Sequence, residues 1–259
     1  MKKILYILFW TLLVTAVITA MAFIGNKHDE TTCRQFELYI AKPGEDALMS
    51  AEDISGIIIK RLDSLEGKTL GEIDIRRIHN ILDSIPYIRK SDVKSGISGM
   101  LSVAVHLRQP LLRIIDKNHR TYYIDREGYL LPLRPGYPGR VFIANGNISL
   151  PEKENLSGRH ISSLPGGSPT VKLYELALKI DSSPFLKHLL LQVWINGQGE
   201  AELVPLLGGH TIHFGSLDDM DEKLGKLITF YREGAAKAGW IEYRSIDLRY
   251  KNQIICSKK

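Results

Sequence analysis

From Ile4 to Ile24 the chain carries no charge and is mostly apolar, with Met1-Lys2-Lys3 ahead of it, and no comparable run occurs again. At ~1.5 Å of rise per helical residue, such a run is about as long as a ~30 Å hydrocarbon core is thick. The pattern predicts one transmembrane helix over 4–24, with residues 1–3 as a cytoplasmic tail held inside by Lys2 and Lys3, and residues 25–259 exported. Ala20-Met21-Ala22 has the small-x-small form of a signal-peptide cleavage site, which is the alternative reading. The apolar stretch exceeds the ~7–15 residues of a usual signal core and favours an anchor. Either way the bulk of the chain lies outside the plasma membrane.

Beyond the anchor, apolar positions come in short periodic runs. Phe36 to Ile40 reads as a strand broken by Lys42-Pro43-Gly44. Ser50 and Asp53 form the pattern of a capping box, and Met49 and Ile54 hold the positions of a hydrophobic staple. Ile54, Ile57, Ile58 and Leu62 then share one helical face. A second helix is predicted from Ile75, Ile78, Leu82 and Ile85, stopped by Pro86. Tyr87 to Lys94 and Leu101 to Leu107 read as strands around a flexible connection at 95–99. Two helices on one face of a small sheet make a compact α+β unit of about 80 residues, within the range that folds alone.

The remainder mixes strands with helices. Leu111 to Ile115 is followed by a hairpin in Tyr122 to Leu133, turning at Arg126-Glu127-Gly128. Residues 134–169 are rich in Gly, Pro, Ser and Asn and read as irregular surface or linker, apart from a short strand at Val141 to Ala144. Leu173, Leu176, Ala177 and Ile180 mark a helix, and strands are expected at Leu189 to Ile195, Glu200 to Leu206 and Thr211 to Phe214. Another helix opens at Ser216 to Glu222, with Met220, Leu224, Leu227, Ile228 and Tyr231 inward. Near the end, Ile246, Leu248 and Tyr250 alternate with Ser245, Asp247 and Arg249. Lys251-Asn252 makes a turn, and Gln253 to Ser257 is a last strand. As an edge strand it would leave backbone groups open, with Lys258-Lys259 discouraging promiscuous pairing.

Composition narrows the function classes. The formal charge is +5 over 259 residues, with Lys and Arg dispersed, so nucleic-acid binding is disfavoured. Cys33 and Cys256 are the only cysteines and are read as separate thiols. His210 and His213, three apart on a strand, point to opposite faces and read as surface or turn histidines rather than ligands. The carboxylates of 218–222 suit a helix N-terminus better than a metal. Nucleophile-elbow, phosphate-loop and zinc signatures do not occur, so no catalytic residue, cofactor, metal or small-molecule substrate is assigned.

The anchor, the α+β unit ending in Arg108-Gln109-Pro110-Leu111-Leu112-Arg113-Ile114, the Tyr122 to Leu133 segment and the Ile246-Asp247-Leu248-Arg249-Tyr250 ending together resemble the bacterial division family FtsQ/DivIB. The resemblance implies an α+β chain with a single transmembrane helix, a POTRA domain (β-α-α-β-β) over 33–115, and a mixed β-domain with flanking helices over 116–259. It further implies a non-enzymatic divisome scaffold, enriched at the division septum, that recruits FtsB- and FtsL-like single-pass partners for septal peptidoglycan synthesis. The partner-binding positions it implies are Arg249, Tyr250, Lys251, Asn252, Gln253 and Ile255, where a partner strand would add to the terminal edge. Two other classes stay open: an exported membrane-anchored enzyme, and an envelope-assembly factor built on a POTRA domain.

Overall fold

A computed structural model of the chain describes residues 2–42, 47–96, 98–136, 139–151, 156–165, 168–235, 239 and 242–259. Side chains at 2, 4, 5, 7, 20, 22–29 and 235 also lie outside the described set. The chain divides into two compact units, the first of residues 1–43 and 49–107 and the second of residues 44–48 and 108–259.

The first unit opens with α1 (Lys2–Asp29), which contains the whole apolar run. Tyr6, Leu8, Phe9, Leu12, Ile18 and Met21 on this helix are all more than half exposed. Counted on the described residues alone, no helix is long and apolar enough to cross a membrane. Next come β1 (Gln35–Ile40), α2 (Ala51–Leu62), α3 (Ile75–Asp83), β2 (Ile88–Ser95) and β3 (Met100–Leu107). The capping box is formed: Ser50 Oγ accepts from the Asp53 N–H, and the Asp53 carboxylate accepts from the Ser50 N–H. That pairing fixes where α2 starts, so Ile54 and Ile58 fall on the buried face. The sheet order is β1-β3-β2, with β1 parallel and β2 antiparallel to β3. Leu101, Val103 and Val105 of the central strand are fully buried, as the alternation requires of a strand covered on one face. Cys33 is buried as a free thiol, and burial raises its pKa.

The second unit is a nine-stranded sheet. Its elements are β4 (Pro110–Ile115), β5 (Thr121–Asp125), β6 (Leu130–Pro132), β7 (Phe142–Gly146), α4 (Pro169–Ser182), α5 (Pro184–Leu189), β8 (Leu190–Ile195), β9 (Ala201–Pro205), β10 (Thr211–Gly215), α6 (Met220–Thr229), β11 (Tyr243–Asp247) and β12 (Ile255–Lys258). The order is β12-β11-β10-β9-β8-β7-β4-β5-β6. β7 is parallel to β8, and β10 is parallel to β11. Parallel neighbours need a crossover, and α4 with α5 supplies the first while α6 supplies the second. Leu173, Leu176, Leu186 and Leu224 of these helices share one core with Leu112, Val193, Leu203, Ile212 and Ile246 of the strands.

Several expectations needed correction. Pro110–Ile115, which the resemblance includes in the POTRA span 33–115, pairs with β5 and β7 and so belongs to the larger sheet. The strand expected at Val141 to Ala144 is β7, inside the sheet between β4 and β8, but the rest of 134–169 is more than linker, since Ile148, Leu150, Leu156, Ile161 and Leu164 are buried. Turn-forming residues mask these anchors, each of which contributes roughly 1.5–3 kcal/mol when fully buried. The short helix α5 was missed; Ser183 caps it by accepting from the Leu186 N–H, and Pro184 sits at its first turn. Asp219 at the start of α6 makes no side-chain cap, and Asp218 and Asp221 instead pair with Lys172 and Lys179 of α4, both at 2.6 Å. His210 is not a surface residue: it is buried against the Tyr231 hydroxyl, and burial depresses its pKa. His213 faces outward near Glu202, so the two histidines do point to opposite sides.

Candidate docking edge

β11 reaches the sheet through α6 and pairs with β10 by Thr211↔Ser245, Ile212↔Ile246 and His213↔Asp247. Ile246 and Leu248 are fully buried, and their insertion fixes the register of everything that follows. The strand ends at Asp247, so the alternation does not carry on to Tyr250, which is 46% exposed rather than in the core. Lys226 of α6 holds the departing chain by donating from Nζ to the carbonyls of Leu248 at 3.2 Å and Tyr250 at 2.7 Å.

Arg249 is clamped. Its Nε and Nη2 donate to the Asp247 carboxylate at 3.0 and 2.7 Å, its backbone N–H donates to the same group at 3.0 Å, and its Nη1 lies 3.5 Å from Glu200. The bond from Arg249 holds the Asp247 carboxyl below the usual carboxylate range, and the same bond raises the guanidinium above its own. Gly215 makes room for this arrangement, because a Cβ there would lie 2.7 Å from Arg249 Cγ. The backbone at Gly215 also has φ +75°, which other residues rarely adopt.

After Arg249 the chain reverses at Lys251-Asn252, with Asn252 left-handed at φ 58°. β12 then runs back antiparallel to β11, pairing Ile255↔Asp247, Cys256↔Ile246 and Ser257↔Ser245. The strand starts two residues later than the sequence suggested, since Gln253 and Ile254 are used in leaving the turn. Ile254 and Cys256 pack against the core, whereas Gln253, Ile255 and Ser257 point outward, Ile255 at 46% exposure. Cys256 is a free thiol. Among the described residues no strand pairs with the outer side of β12.

The structure therefore gathers the six sequence-designated positions into one hairpin at the sheet's end, Arg249 and Tyr250 before its turn, Lys251 and Asn252 in it, and Gln253 and Ile255 after it. Sequence reading missed Glu200, Gly215 and Lys226, which hold that hairpin; their only signal was a turn glycine and ordinary surface charges. Among the described residues no group of three or more His, Cys, Asp or Glu side chains is placed to hold a metal ion. What the hairpin offers chemically is backbone N–H and C=O groups on an open strand, flanked by an aromatic ring and a fixed cation.

A mixed sheet sharing one core with its helices and ending in a clamped terminal hairpin defines an α+β module. A family model described as FtsQ/DivIB, C-terminal related, matches residues 109–257, more than half of the chain. The protein is a member of the FtsQ/DivIB family, a non-enzymatic family of bacterial division-site proteins, and membership indicates a role in cell division. No curated protein matches it.

Proposed function

We propose that this protein is a membrane-anchored divisome scaffold that recruits FtsB- and FtsL-like single-pass partners for septal peptidoglycan synthesis. It does so by accepting a partner strand along β12. The observation that carries this reading is the position of β12 as a terminal strand of the nine-stranded sheet, paired on one side only among the described residues. Main-chain hydrogen bonds along Gln253 to Ser257 supply affinity, and Tyr250, Ile255 and Arg249 supply selectivity. Lys251 and Asn252 set the turn that presents the strand. On this reading the anchor is α1, whose uncharged run from Ile4 to Ile24 has the length of a bilayer core, and the two units lie in the periplasm or extracellular space, enriched at the septum. The first unit, with its strand-helix-helix-strand-strand order, is a POTRA domain, and the second is the β-domain of the family.

Site-specific photo-crosslinking from Gln253 in living cells, followed by mass spectrometry, tests the reading. Capture of a small single-pass coiled-coil protein is the expected result. Removal of residues 251–259 from the anchored chain is expected to abolish that capture while leaving the protein folded and in the membrane. Normal partner recovery by the truncated chain would sink the edge-strand reading.

A further inference from the structure

The small sheet of the first unit also has two outer strands, and they are unlike. β2 carries Arg89, Lys90, Asp92 and Lys94, and Lys90 pairs with Asp92 at 3.2 Å, a density of charge that protects an edge from pairing. β1 has no such protection on its inner face. Phe36, Leu38 and Ile40 point toward the helices but are only half-buried, whereas Leu101, Val103 and Val105 on the neighbouring strand are fully buried.

The incomplete cover leaves a groove of 360 Å³ between β1 and α2. Phe36, Leu38 and Leu65 line it together with Ile59, which is 49% exposed on the helix. Among the described residues, Glu52 and Glu66 are the only charged ones in its wall. The Phe36 N–H donates to Glu66 Oε1 at 3.5 Å, a long bond made by a side chain where a neighbouring strand's carbonyl would otherwise sit. Among the described residues β1 pairs only with β3.

We propose that this groove is a second peptide-docking site, separate from the terminal hairpin. Its occupant is an extended segment of a partner protein, apolar at alternate positions and carrying lysine or arginine. The segment adds to β1 as a fourth strand, its apolar side chains cover Phe36, Leu38 and Ile59, and its cation meets Glu52 and Glu66. Edge backbone supplies a general strand affinity, and the two carboxylates select basic over acidic segments.

The test uses the full chain in detergent micelles, panned against a displayed library of random twelve-residue peptides. Those retained by the natural chain and lost on an Ile59→Glu variant are sequenced. The expected set alternates apolar residues with Lys or Arg and binds the natural chain about tenfold more tightly than a Glu52→Lys, Glu66→Lys double variant, which reverses the charge of the wall. Synthetic peptides from that set are expected to slow amide exchange over residues 35–40 and leave 255–258 unchanged. Ile59 and Glu52 are exposed, so unchanged unfolding midpoints will show that the variants are folded. The proposal is overturned if no peptide separates the natural chain from Ile59→Glu, if the enriched set is acidic, or if protection of 35–40 rises with protein concentration without peptide, which would make the occupant a second copy.

Discussion

The two ends of the nine-stranded sheet solve the same problem in opposite ways. At the β6 end the open backbone is covered by the chain itself: the Leu130 N–H donates to Arg159 O, the Gly158 N–H donates to Leu130 O, and the Ile161 N–H donates to Gly128 O, each at 2.8 Å. Pro132 has no N–H to leave open, and the His160 ring locks the cover by donating from Nε2 to Glu127 O at 2.8 Å. At the β12 end there is no such cover among the described residues, only the exposed lysines Lys258 and Lys259. A protein able to seal one edge with a loop has the means to seal both. The other end has its turn clamped through Arg249, Asp247 and Lys226 instead, and is the edge that the proposed partner strand would join.

The largest effect is expected at the closed end. Gly128 has φ +86°, and a Cβ there would lie 2.7 Å from His160 Nε2, whose ring is fixed by its own hydrogen bonds. Gly128→Ala should therefore destabilise the second unit by about 1–3 kcal/mol from backbone strain alone. Thermal unfolding should show a drop of several degrees, whereas partner capture from Gln253 below the transition should be unchanged. A loss of capture instead would mean that the two ends are not independent.

The converse substitution is Ile255→Asp at the open end. The side chain is already 46% exposed, so the unfolding midpoint should stay within about 0.5 kcal/mol of the original. Affinity for an FtsB-type strand, measured by titration with a synthetic peptide, should fall about tenfold because a charge is placed along the pairing edge. Equal affinity would remove the reason for calling this end a docking edge.

A smaller, pH-dependent effect should follow from Asp247. Its folded-state pKa is depressed, first by the bond from Arg249, so the pair's contribution is present above the ordinary 3.8 and is lost as pH falls through the lower folded value. Asp247 is mostly buried but Arg249 is 44% exposed, which limits the contribution to about 1 kcal/mol. Urea midpoints of Asp247→Asn and the natural protein should differ at pH 7 and converge as pH falls through the lowered folded-state value. A gap that persists in acid would assign the effect to packing. The smallest change is expected for Tyr250→Ala, within about 0.5 kcal/mol in stability, because nearly half of the ring faces solvent. Its reading belongs to partner selectivity rather than to the fold.

Local signals in the chain determined much of this architecture. The uncharged run, the Ser50–Asp53 capping box and the alternation through Leu101 to Leu107 each rest on neighbours in sequence, and helix starts and covered faces follow from such neighbours. The hairpin at Arg126-Glu127-Gly128 was legible for the same reason, since a two-strand turn is local. That residues 249–255 form the sheet's terminal hairpin was suggested only by resemblance to a family, because nothing in their composition separates an edge strand from an inner one.

Tertiary structure decided the rest, because strand order is a matter of long-range pairing. That β7 sits between β4 and β8, that β6 is sealed by residues 158–161, and that β12 stands outermost depend on contacts between distant segments. Turn-rich composition hid the buried anchors of 147–164, since spaced apolar residues in a long connection have no period to read. The clamp on Arg249 joins Glu200, just ahead of β9, with residues of β11 and the end of β10 that meet only when the sheet is assembled. Sequence specified which pieces form; packing specified which edge was left open.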